Sequence, residues 1–453
     1  MSAGTSTGLL DPLFTTGRMR AVFSDRGRLQ GMLDFEAALA RAEARSGVIP
    51  AAAAAPIGAQ CRAEAFDAGE IARGAALAGN TAIPLVKALT ALVATGDEAA
   101  SRFVHWGATS QDAMDTGLVL QLRDALDLLD DDLARLSGVL AGLADGHKRT
   151  VLAGRTWLQQ ATPVTLGLKA AGAFSAVERH RARIRELRRR VLVIQFGGAS
   201  GTLAALGSDA MKVAAALADE LNLGLPDVPW HAQRDRVAEV ATALGLLVGT
   251  LGKIARDVSL LMQTEVGEAF EPAAAGKGGS STMPHKRNPV GCAAILAAAI
   301  RVPGLVSVVL TAMVQEHERG LGGWHAEWDT LPEICCLAAG ALAQLTQVLE
   351  GLEVDSARMA ENLEATRGLI LAEAVTMALG GRIGRLPAHH LVEAACKRAV
   401  AGKRHLRDVL GEDAEVRRHL SAEDLRRLLD PANYTGLAEA LVERALAART
   451  DTT

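Results

Sequence analysis

The residues best suited to chemistry lie in one glycine-rich segment, Phe270–Pro289, which reads FEPAAAGKGGSSTMPHKRNP. Its three glycines provide backbone N–H groups that a ligand can approach closely. Two serines, a threonine and a basic run follow, and then Asn288 and Pro289 fit the N-cap and the first position of a helix. A helix start beside Lys286 favours negative charge. The segment therefore predicts a site for a carboxylate, or for a carbanion delocalised into one.

Other functions of glycine-rich segments fit less well. A phosphate-binding P-loop needs Gly-Lys-Ser/Thr at its end, but here Gly278 follows Lys277. A second stretch, Gln195–Thr202 (QFGGASGT), lacks the GxGxxG spacing and the strand–helix alternation of a dinucleotide-binding turn. A flexible linker followed by an ordinary helix cap is the structural alternative.

The composition favours a helical protein. The 453 residues are 49% hydrophobic but only 3% aromatic, whereas strands prefer aromatic and β-branched residues. The net charge of −4 and the lack of a long basic run argue against a nucleic-acid partner. Five cysteines without CxxC spacing argue against a disulfide framework or a zinc site. Since no signal-peptide pattern opens the chain, we expect a cytoplasmic protein.

Apolar residues at heptad spacing predict two long helices that pack at shallow angles. The first series is Val119, Leu122, Leu126, Leu129, Leu133, Leu136, Leu140 and Leu143. The second series is Val237, Val240, Leu244, Leu247, Leu251, Ile254, Val258 and Leu261. The most apolar stretch, Pro289–Val314, is interrupted by Arg301 and Pro303, and we expect a buried core helix there instead of a membrane span.

These patterns predict an all-α protein with three helical regions. Residues 1–114 form an N-terminal domain, 115–355 a central long-helix bundle, and 356–453 a small C-terminal domain. Further long helices are expected at 163–192, 289–315 and 328–352, and shorter ones, such as 28–46, in the first 114 residues. Bundles with such strong apolar seams often bury part of them between subunits, so we expect a homo-oligomer.

Three motifs resemble the fumarase/aspartase superfamily. GSSTMPHKRNP resembles the superfamily signature GSSxMPxKxNP. His105–Asp112 (HWGATSQD) and Gly154–Pro163 (GRTWLQQATP) resemble its first and second conserved regions, in the expected order. The resemblance covers nearly the whole chain. It implies an L-aspartase/fumarase-like homotetramer with a central twenty-helix core, in which each active site is built from the three regions of three different subunits.

The resemblance also implies roles for individual residues. By motif position, Ser280 is the acid/base serine, and Lys286 and Asn288 hold a substrate carboxylate and stabilise the aci-carboxylate intermediate. A serine hydroxyl is a weak base, so it needs N–H donors and positive charge nearby. The resemblance implies no cofactor and no metal.

Trp157 departs from the superfamily pattern, because most of these lyases have histidine at this position. An indole has only an N–H donor, so it cannot act as the acid for an amine or alkoxide leaving group. An intramolecular reaction, in which a carboxylate of the substrate is itself the nucleophile or leaving group, needs no such acid.

The residues at 23–44, 107–128 and 315–336 are similar to the cycloisomerase branch of the superfamily. In that branch a carboxylate of a substituted muconate adds across a C=C bond to form a lactone. Because a carboxy-substituted muconate is a trianion, this net-negative chain must concentrate positive charge at the site. We expect substrate-binding roles for His105, Thr109, Ser110, Gln111, Arg155, Trp157, Gln159, Asn288 and Arg319.

Three alternatives stay open. Adenylosuccinate lyases share MPHKRNP, but their N-terminal Arg-Tyr-Ser is replaced here by Leu13-Phe14-Thr15, and their catalytic histidine by Trp157. A sulfonate-substituted muconate is chemically similar to the carboxylate. A non-catalytic, crystallin-like protein is the third, although Ser280, Lys286 and Asn288 are all retained.

Overall fold

The computed structural model describes residues 8–273, 278–279, 282–283 and 285–448. The helices are α1 Asp11–Phe14, α2 Gly17–Val22, α3 Asp25–Arg45, α4 Ala51–Gln60, α5 Ala68–Ala78, α6 Ala82–Gly96, α7 Glu98–Ser101, α8 Ser110–Gly146, α9 Leu166–Val191, α10 Ala210–Leu221, α11 Asp235–Leu261, α12 Val290–Ala312, α13 Gly323–Glu350, α14 Ser356–Glu364, α15 Ala372–Ile383, α16 Arg385–Gly402, α17 Leu406–Glu412, α18 Ala414–His419, α19 Ala422–Leu428 and α20 Ala438–Ala447. The strands are β1 Val151–Thr156, β2 Gln159–Thr165, β3 Ala269–Phe270 and β4 Glu353–Val354. They form two antiparallel pairs, β1 with β2 and β3 with β4.

The predicted long helices are confirmed. The first apolar series lies on α8 and the second on α11, and every member except the half-buried Leu143 is buried. The predicted boundaries shift where other structure intervenes. Helix α9 begins at Leu166 instead of residue 163, because the preceding residues pair as strand β2. Helix α13 begins earlier than residue 328, at Gly323.

The chain divides into two compact units. The first comprises residues 1–134, 180–252 and 294–344, and the second comprises residues 135–179, 253–293 and 345–453. Five long helices contribute residues to both units, namely α8, α9, α11, α12 and α13. The division of the sequence into three regions at residues 114 and 355 stays a prediction.

Each unit has its own apolar core. In the first unit a large cluster runs from Leu29 on α3 to Leu221 on α10. In the second unit one cluster joins α15, α16 and α17. A smaller cluster in that unit holds the base of the β1–β2 hairpin, where Leu152 packs with Leu261 and Met359.

Helix α12 differs from the expectation of a buried core helix. Only 22% of its most apolar 18-residue window is buried in this chain, against 56% for α11 and 78% for α13, and all three are long and apolar enough to cross a membrane. One face of α12 packs closely, since a Cβ added to Gly252 would lie 2.7 Å from the Ala299 Cβ. On the other face Ile300 is 77% exposed, and Val308 and Leu310 are also exposed. The expectation was wrong because the helix carries apolar residues on all its faces, while the rest of the chain covers only one of them.

A buried acid on α3, Glu43, makes the folding stability depend on pH. Glu43 has 0% exposure and neither carboxyl oxygen has a hydrogen-bond partner. Burial, with a smaller contribution from the Glu36 carboxylate, raises the pKa of Glu43 from 4.5 to about 9. The folded protein therefore keeps this proton across the pH range in which the unfolded chain loses it, and folding stability falls as pH rises from about 4.5 to about 9.

We predict that Glu43→Gln stabilises the protein at pH 8 by at least about 1 kcal/mol, because a pKa that differs by one between the folded and unfolded states corresponds to about 1.4 kcal/mol. The gain shrinks toward pH 5, where the unfolded chain also holds much of the proton. Urea unfolding of both proteins at the two pH values measures this. Glu70→Gln on the exposed face of α5 is the control, with a change within about 0.5 kcal/mol. An equal gain at both pH values would contradict the burial argument.

Candidate active site

The structure describes only part of the signature loop predicted at Gly276–Pro289. Ser280, the predicted acid/base residue, lies outside the described residues, as do Ser281 and Pro284. The two ends of the loop are joined, because the Asn288 N–H donates to the Gly278 carbonyl over 2.9 Å. Gly278 has φ +67°, and an added Cβ would lie 2.7 Å from the Asn288 carbonyl oxygen. Only glycine fits this closure without strain.

Arg287 ties the base of the loop to strand β4 within the second unit. Its guanidinium donates to both carboxylate oxygens of Glu353, over 2.8 and 2.9 Å, and to the Glu271 carbonyl over 2.6 Å. It also lies 4.9 Å from the centre of the Phe270 ring. Its neighbour Lys286 is exposed and has no ion pair among the described residues. Of the two adjacent cations, Arg287 is structural and Lys286 is available to a ligand.

The start of α12 corrects the prediction of an open anion site at a helix N-terminus. The buried Glu271 carboxylate accepts the N–H groups of Gly291, over 3.1 Å, and Cys292, over 2.7 Å. The helix also begins one residue later than predicted, at Val290. The Pro289 carbonyl accepts the N–H of Ala293, which makes Pro289 the N-cap position. The protein's own carboxylate therefore occupies the favourable helix terminus.

The second region forms the β1–β2 hairpin. Thr156 pairs with Gln159, so Trp157 and Leu158 make a two-residue turn, with φ +53° and +64°. Such turns normally carry Asn-Gly, and a bulky residue at positive φ costs about 1 kcal/mol or more. Trp157 is nevertheless 97% exposed and Leu158 76% exposed. The hairpin, which the sequence pattern does not predict, presents a large apolar side chain at its tip.

A buried carboxylate, that of Glu268, holds the β1–β2 hairpin in place. The guanidinium of Arg155 donates to Glu268 over 2.6 and 2.9 Å, and Glu268 has 0% exposure. Glu268 also accepts from the Asn362 side chain over 2.8 Å. Arg155 is thus charge-compensated inside the chain. Gln159, the other predicted binding residue on this hairpin, is exposed.

The first region lies in the first unit and is organised by Asp112, which has 0% exposure. Its carboxylate accepts from the His231 ring over 2.7 Å and from the Thr109 N–H over 3.0 Å. It also accepts the N–H groups of Gly197 and Gly198, over 3.0 and 2.9 Å. In the glycine-rich stretch at 195–202, the backbone N–H groups of Gly197 and Gly198 therefore bind a carboxylate of the protein itself and are not available to bind a phosphate.

Thr109 and Ser110 sit at the start of α8, and their hydroxyls have no hydrogen-bond partner among the described residues. Gln111, the next residue, is fully buried. Its side-chain oxygen accepts from Arg319 Nε over 3.1 Å. Arg319 is exposed and also donates to the Ala199 carbonyl over 3.1 Å. The structure thus joins the first region to Arg319, which lies about two hundred residues later in the chain.

His105 is held in an unusual conformation beside a buried acid. It has φ +58°, which L residues rarely adopt, and its Nδ1 lies 2.6 Å from Glu36 Oε1. Burial alone would lower the pKa of His105, but the Glu36 and Asp112 carboxylates outweigh it and raise that pKa above 6.5. The protonated form of the ring is therefore favoured, and no described residue forms a hydrogen bond with Nε2.

Several organising residues were missed by sequence reasoning. Asp112 stands inside a recognised motif, and Glu271 lies just before the glycine loop, so motif position could have singled them out. Glu36 gave only a weak signal, as a glutamate within the apolar run FEAALA. The pairings of His231 and Glu268 depend on long-range packing and have no local signal.

The chain matches known families and known proteins over nearly its whole length. Residues 14–304 match the protein family described as Lyase, and residues 368–445 match the family described as Adenylosuccinate lyase C-terminus. The 3-carboxy-cis,cis-muconate cycloisomerase of Pseudomonas aeruginosa is 67% identical over 447 residues, covering 99% of this chain and 97% of that protein. The crystal structure of the 3-carboxy-cis,cis-muconate lactonizing enzyme from Pseudomonas putida superposes with a TM-score of 0.94, 61% identity and coverage of 98% of this chain and 99% of that chain.

A fumarate lyase from Mesorhizobium sp. BNC1 is also similar, with a TM-score of 0.90, 45% identity and coverage of 96% of this chain and 99% of that chain. The chain therefore belongs to the lyase family of the fumarase/aspartase superfamily and has its all-α fold.

We predict that Glu36→Gln lowers the pKa of His105, because it removes the carboxylate that stabilises the protonated ring. NMR titration of the His105 ring would measure the change. Glu43→Gln is the matched control on the same helix, since Glu43 is already uncharged at neutral pH and should leave the His105 titration unchanged. An unaltered His105 titration in Glu36→Gln would contradict the assigned cause.

Proposed function

We propose that the chain is a cycloisomerase that converts 3-carboxy-cis,cis-muconate to 4-carboxymuconolactone, a step of protocatechuate catabolism in the β-ketoadipate pathway. The observation that carries this proposal is the 67% identity over nearly the whole chain to a 3-carboxy-cis,cis-muconate cycloisomerase. It is supported by the signature motif and by the replacement of the leaving-group histidine by Trp157.

The reaction needs one bond to oxygen and one proton transfer to carbon. A substrate carboxylate adds to a C=C bond, and the displaced π-electron pair is delocalised into a neighbouring carboxylate as an aci-carboxylate. Ser280 then gives its hydroxyl proton to carbon and is reprotonated by water. Lys286 and Asn288 stabilise the aci-carboxylate, whose extra negative charge develops during the addition.

Trp157 fits this chemistry because a carboxylate nucleophile needs no acid or base to activate it. Its position at the exposed tip of a strained hairpin supports a contact made outside its own hairpin, since strain of this kind persists where function requires it. We assign it to packing against the apolar diene of the substrate.

The cations of the proposed site fall into two groups, those whose charge is already paired with a carboxylate of the chain and those whose charge is not. Arg155 carries a buried carboxylate partner, so we assign it to holding the hairpin in place. Lys286 and Arg319 have no carboxylate partner among the described residues, and they are the cations offered to the trianion. His105 adds a donor at Nε2, and Thr109, Ser110 and Gln159 add hydrogen-bonding groups.

We further propose a cytoplasmic homotetramer with sites shared between subunits, with no membrane and no nucleic acid as partner. The exposed apolar face of α12 supports this, because it would otherwise remain in water. Arg301, within the same helix, forms an ion pair with Glu333, which suits a protein interface better than lipid.

The substrate assignment is tested by ultraviolet absorbance. We expect a fall on mixing the enzyme with 3-carboxy-cis,cis-muconate, because cyclisation removes conjugation, and no change with adenylosuccinate. Cleavage of adenylosuccinate without turnover of the muconate would overturn the proposal. A 3-sulfomuconate, measured in parallel, distinguishes the alternative substrate by its kcat/KM.

The role of Ser280 is tested by substitution. We expect Ser280→Ala to lower kcat at least ~100-fold, the low end of general acid–base catalysis, with the protein still folded. Ser259→Ala, which removes an exposed hydroxyl on α11, is the control and should keep its activity. Turnover near that of the wild type in Ser280→Ala would remove Ser280 from the role.

A further inference from the structure

Arg319 and Arg155 differ in how the protein holds them. Arg155 is held by the carboxylate of Glu268, whereas Arg319 is held by two neutral oxygens, the Gln111 amide oxygen and the Ala199 carbonyl. Nη1 of Arg319 has no hydrogen-bond partner among the described residues. Arg319 is therefore fixed in direction while its positive charge stays uncompensated.

We propose that Gln111 is a positioning residue that orients Arg319 toward a substrate carboxylate without neutralising it. The inference rests on the proposed function, in which Arg319 binds that carboxylate. It also changes the role expected for Gln111, because the buried amide has no polar group left for direct contact with substrate.

The orientation of the Gln111 amide follows from its partners. Nε2 donates to the Asp115 carboxylate over 3.0 Å and to the His231 carbonyl over 2.8 Å. Both partners can only accept, so the amide nitrogen must face them and the oxygen must face Arg319. A flipped amide would place its oxygen against two acceptors, Asp115 and the His231 carbonyl, and its nitrogen against the N–H donor of Arg319.

The support behind Gln111 is buried and charged. Asp115 accepts from Arg234 over 2.6 and 3.1 Å and from the Trp324 ring N–H over 3.0 Å. Arg234 also donates to Glu327, and both are almost completely buried. Removing one member of such a group would leave a buried charge unpaired, so the cluster resists displacement.

The same cluster contacts the turn that carries Arg319 at a second point. Gln315 Nε2 lies 3.4 Å from Glu327 Oε1, and Arg319 is bound through Gln111 and Asp115. The turn is thus attached to the buried charges at both ends, which limits the directions that the guanidinium can take. An amide transmits this rigidity to Arg319 without adding charge, whereas a carboxylate in its place would compete with the substrate for the guanidinium.

The test separates orientation from general stability. Gln111→Met keeps the side-chain volume and removes the acceptor, and we expect KM to rise at least ~10-fold while kcat stays within ~3-fold, the signature of lost ground-state binding. Gln121→Met is the matched control, since Gln121 is also a buried glutamine of α8 and donates to the Val22 carbonyl over 2.6 Å. It should lower Tm to a similar extent and leave KM unchanged.

A double-mutant cycle with Arg319→Ala shows whether Gln111 acts through Arg319. We expect Gln111→Met to cause no further rise in KM when Arg319 is absent. An equal rise in both backgrounds would overturn the inference, and so would an unchanged KM in Gln111→Met. If Arg319→Ala itself leaves KM unchanged, the binding role of Arg319 in the proposed function fails instead.

If Gln111→Met does not fold, Arg319→Lys replaces it, because it leaves the buried cluster intact and keeps the positive charge, but a lysine ammonium cannot reproduce the two-point hold by the Gln111 amide oxygen and the Ala199 carbonyl. We expect KM to rise again, because the charge is then no longer fixed in direction. An unchanged KM in that variant would overturn the inference.

Discussion

A fully buried guanidinium, that of Arg234, is the interaction on which the first unit depends. It is bound on one side by Asp115 and on the other by Glu327, and none of the three is more than 2% exposed. Charges in the interior persist only when they are paired and hydrogen-bonded, because desolvation costs several kcal/mol per ion. Asp115 lies on α8 and Glu327 on α13, so the pairing fixes two long helices at the level of the first conserved region.

The same principle separates the arginines that hold the fold from the cations of the proposed site. Arg155, Arg287 and Arg234 each have carboxylate partners, and they hold the hairpin, the loop base and the helix bundle. Arg319 and Lys286 have none among the described residues. In the proposed site, the positive potential offered to the substrate would come from these two cations, which the described acids do not compensate. The Glu271 carboxylate at the start of α12 has the opposite effect, since it removes a helix terminus as a competing anion site.

Much of this architecture could be predicted from the sequence. Regular apolar steps predicted α8 and α11, because helix periodicity is a local property of the chain. Motif order also supplied the candidate site residues, and their roles stay predictions. The β1–β2 hairpin was missed because Trp157 and Leu158 are poor turn residues, held at positive φ by pairing across the ribbon. The capping of α12 by Glu271 was missed because Asn288 and Pro289, next to the helix start, already accounted for how the helix begins. The exposure of α12 was missed since composition shows that a helix is apolar but not what covers it.

In the proposed shared site, Arg319 from one subunit and Lys286 from another act on one substrate molecule. The most direct measurement is the muconate cyclisation rate of tetramers that form when the Arg319→Ala and Lys286→Ala chains are co-expressed. At a substrate concentration below the wild-type KM, each variant alone should turn over substrate far more slowly than the wild type. With random assembly, on the order of a quarter of the sites would receive both intact residues, and that share of the wild-type rate should return. Co-expressed chains that stay as inactive as either variant alone would contradict the shared site.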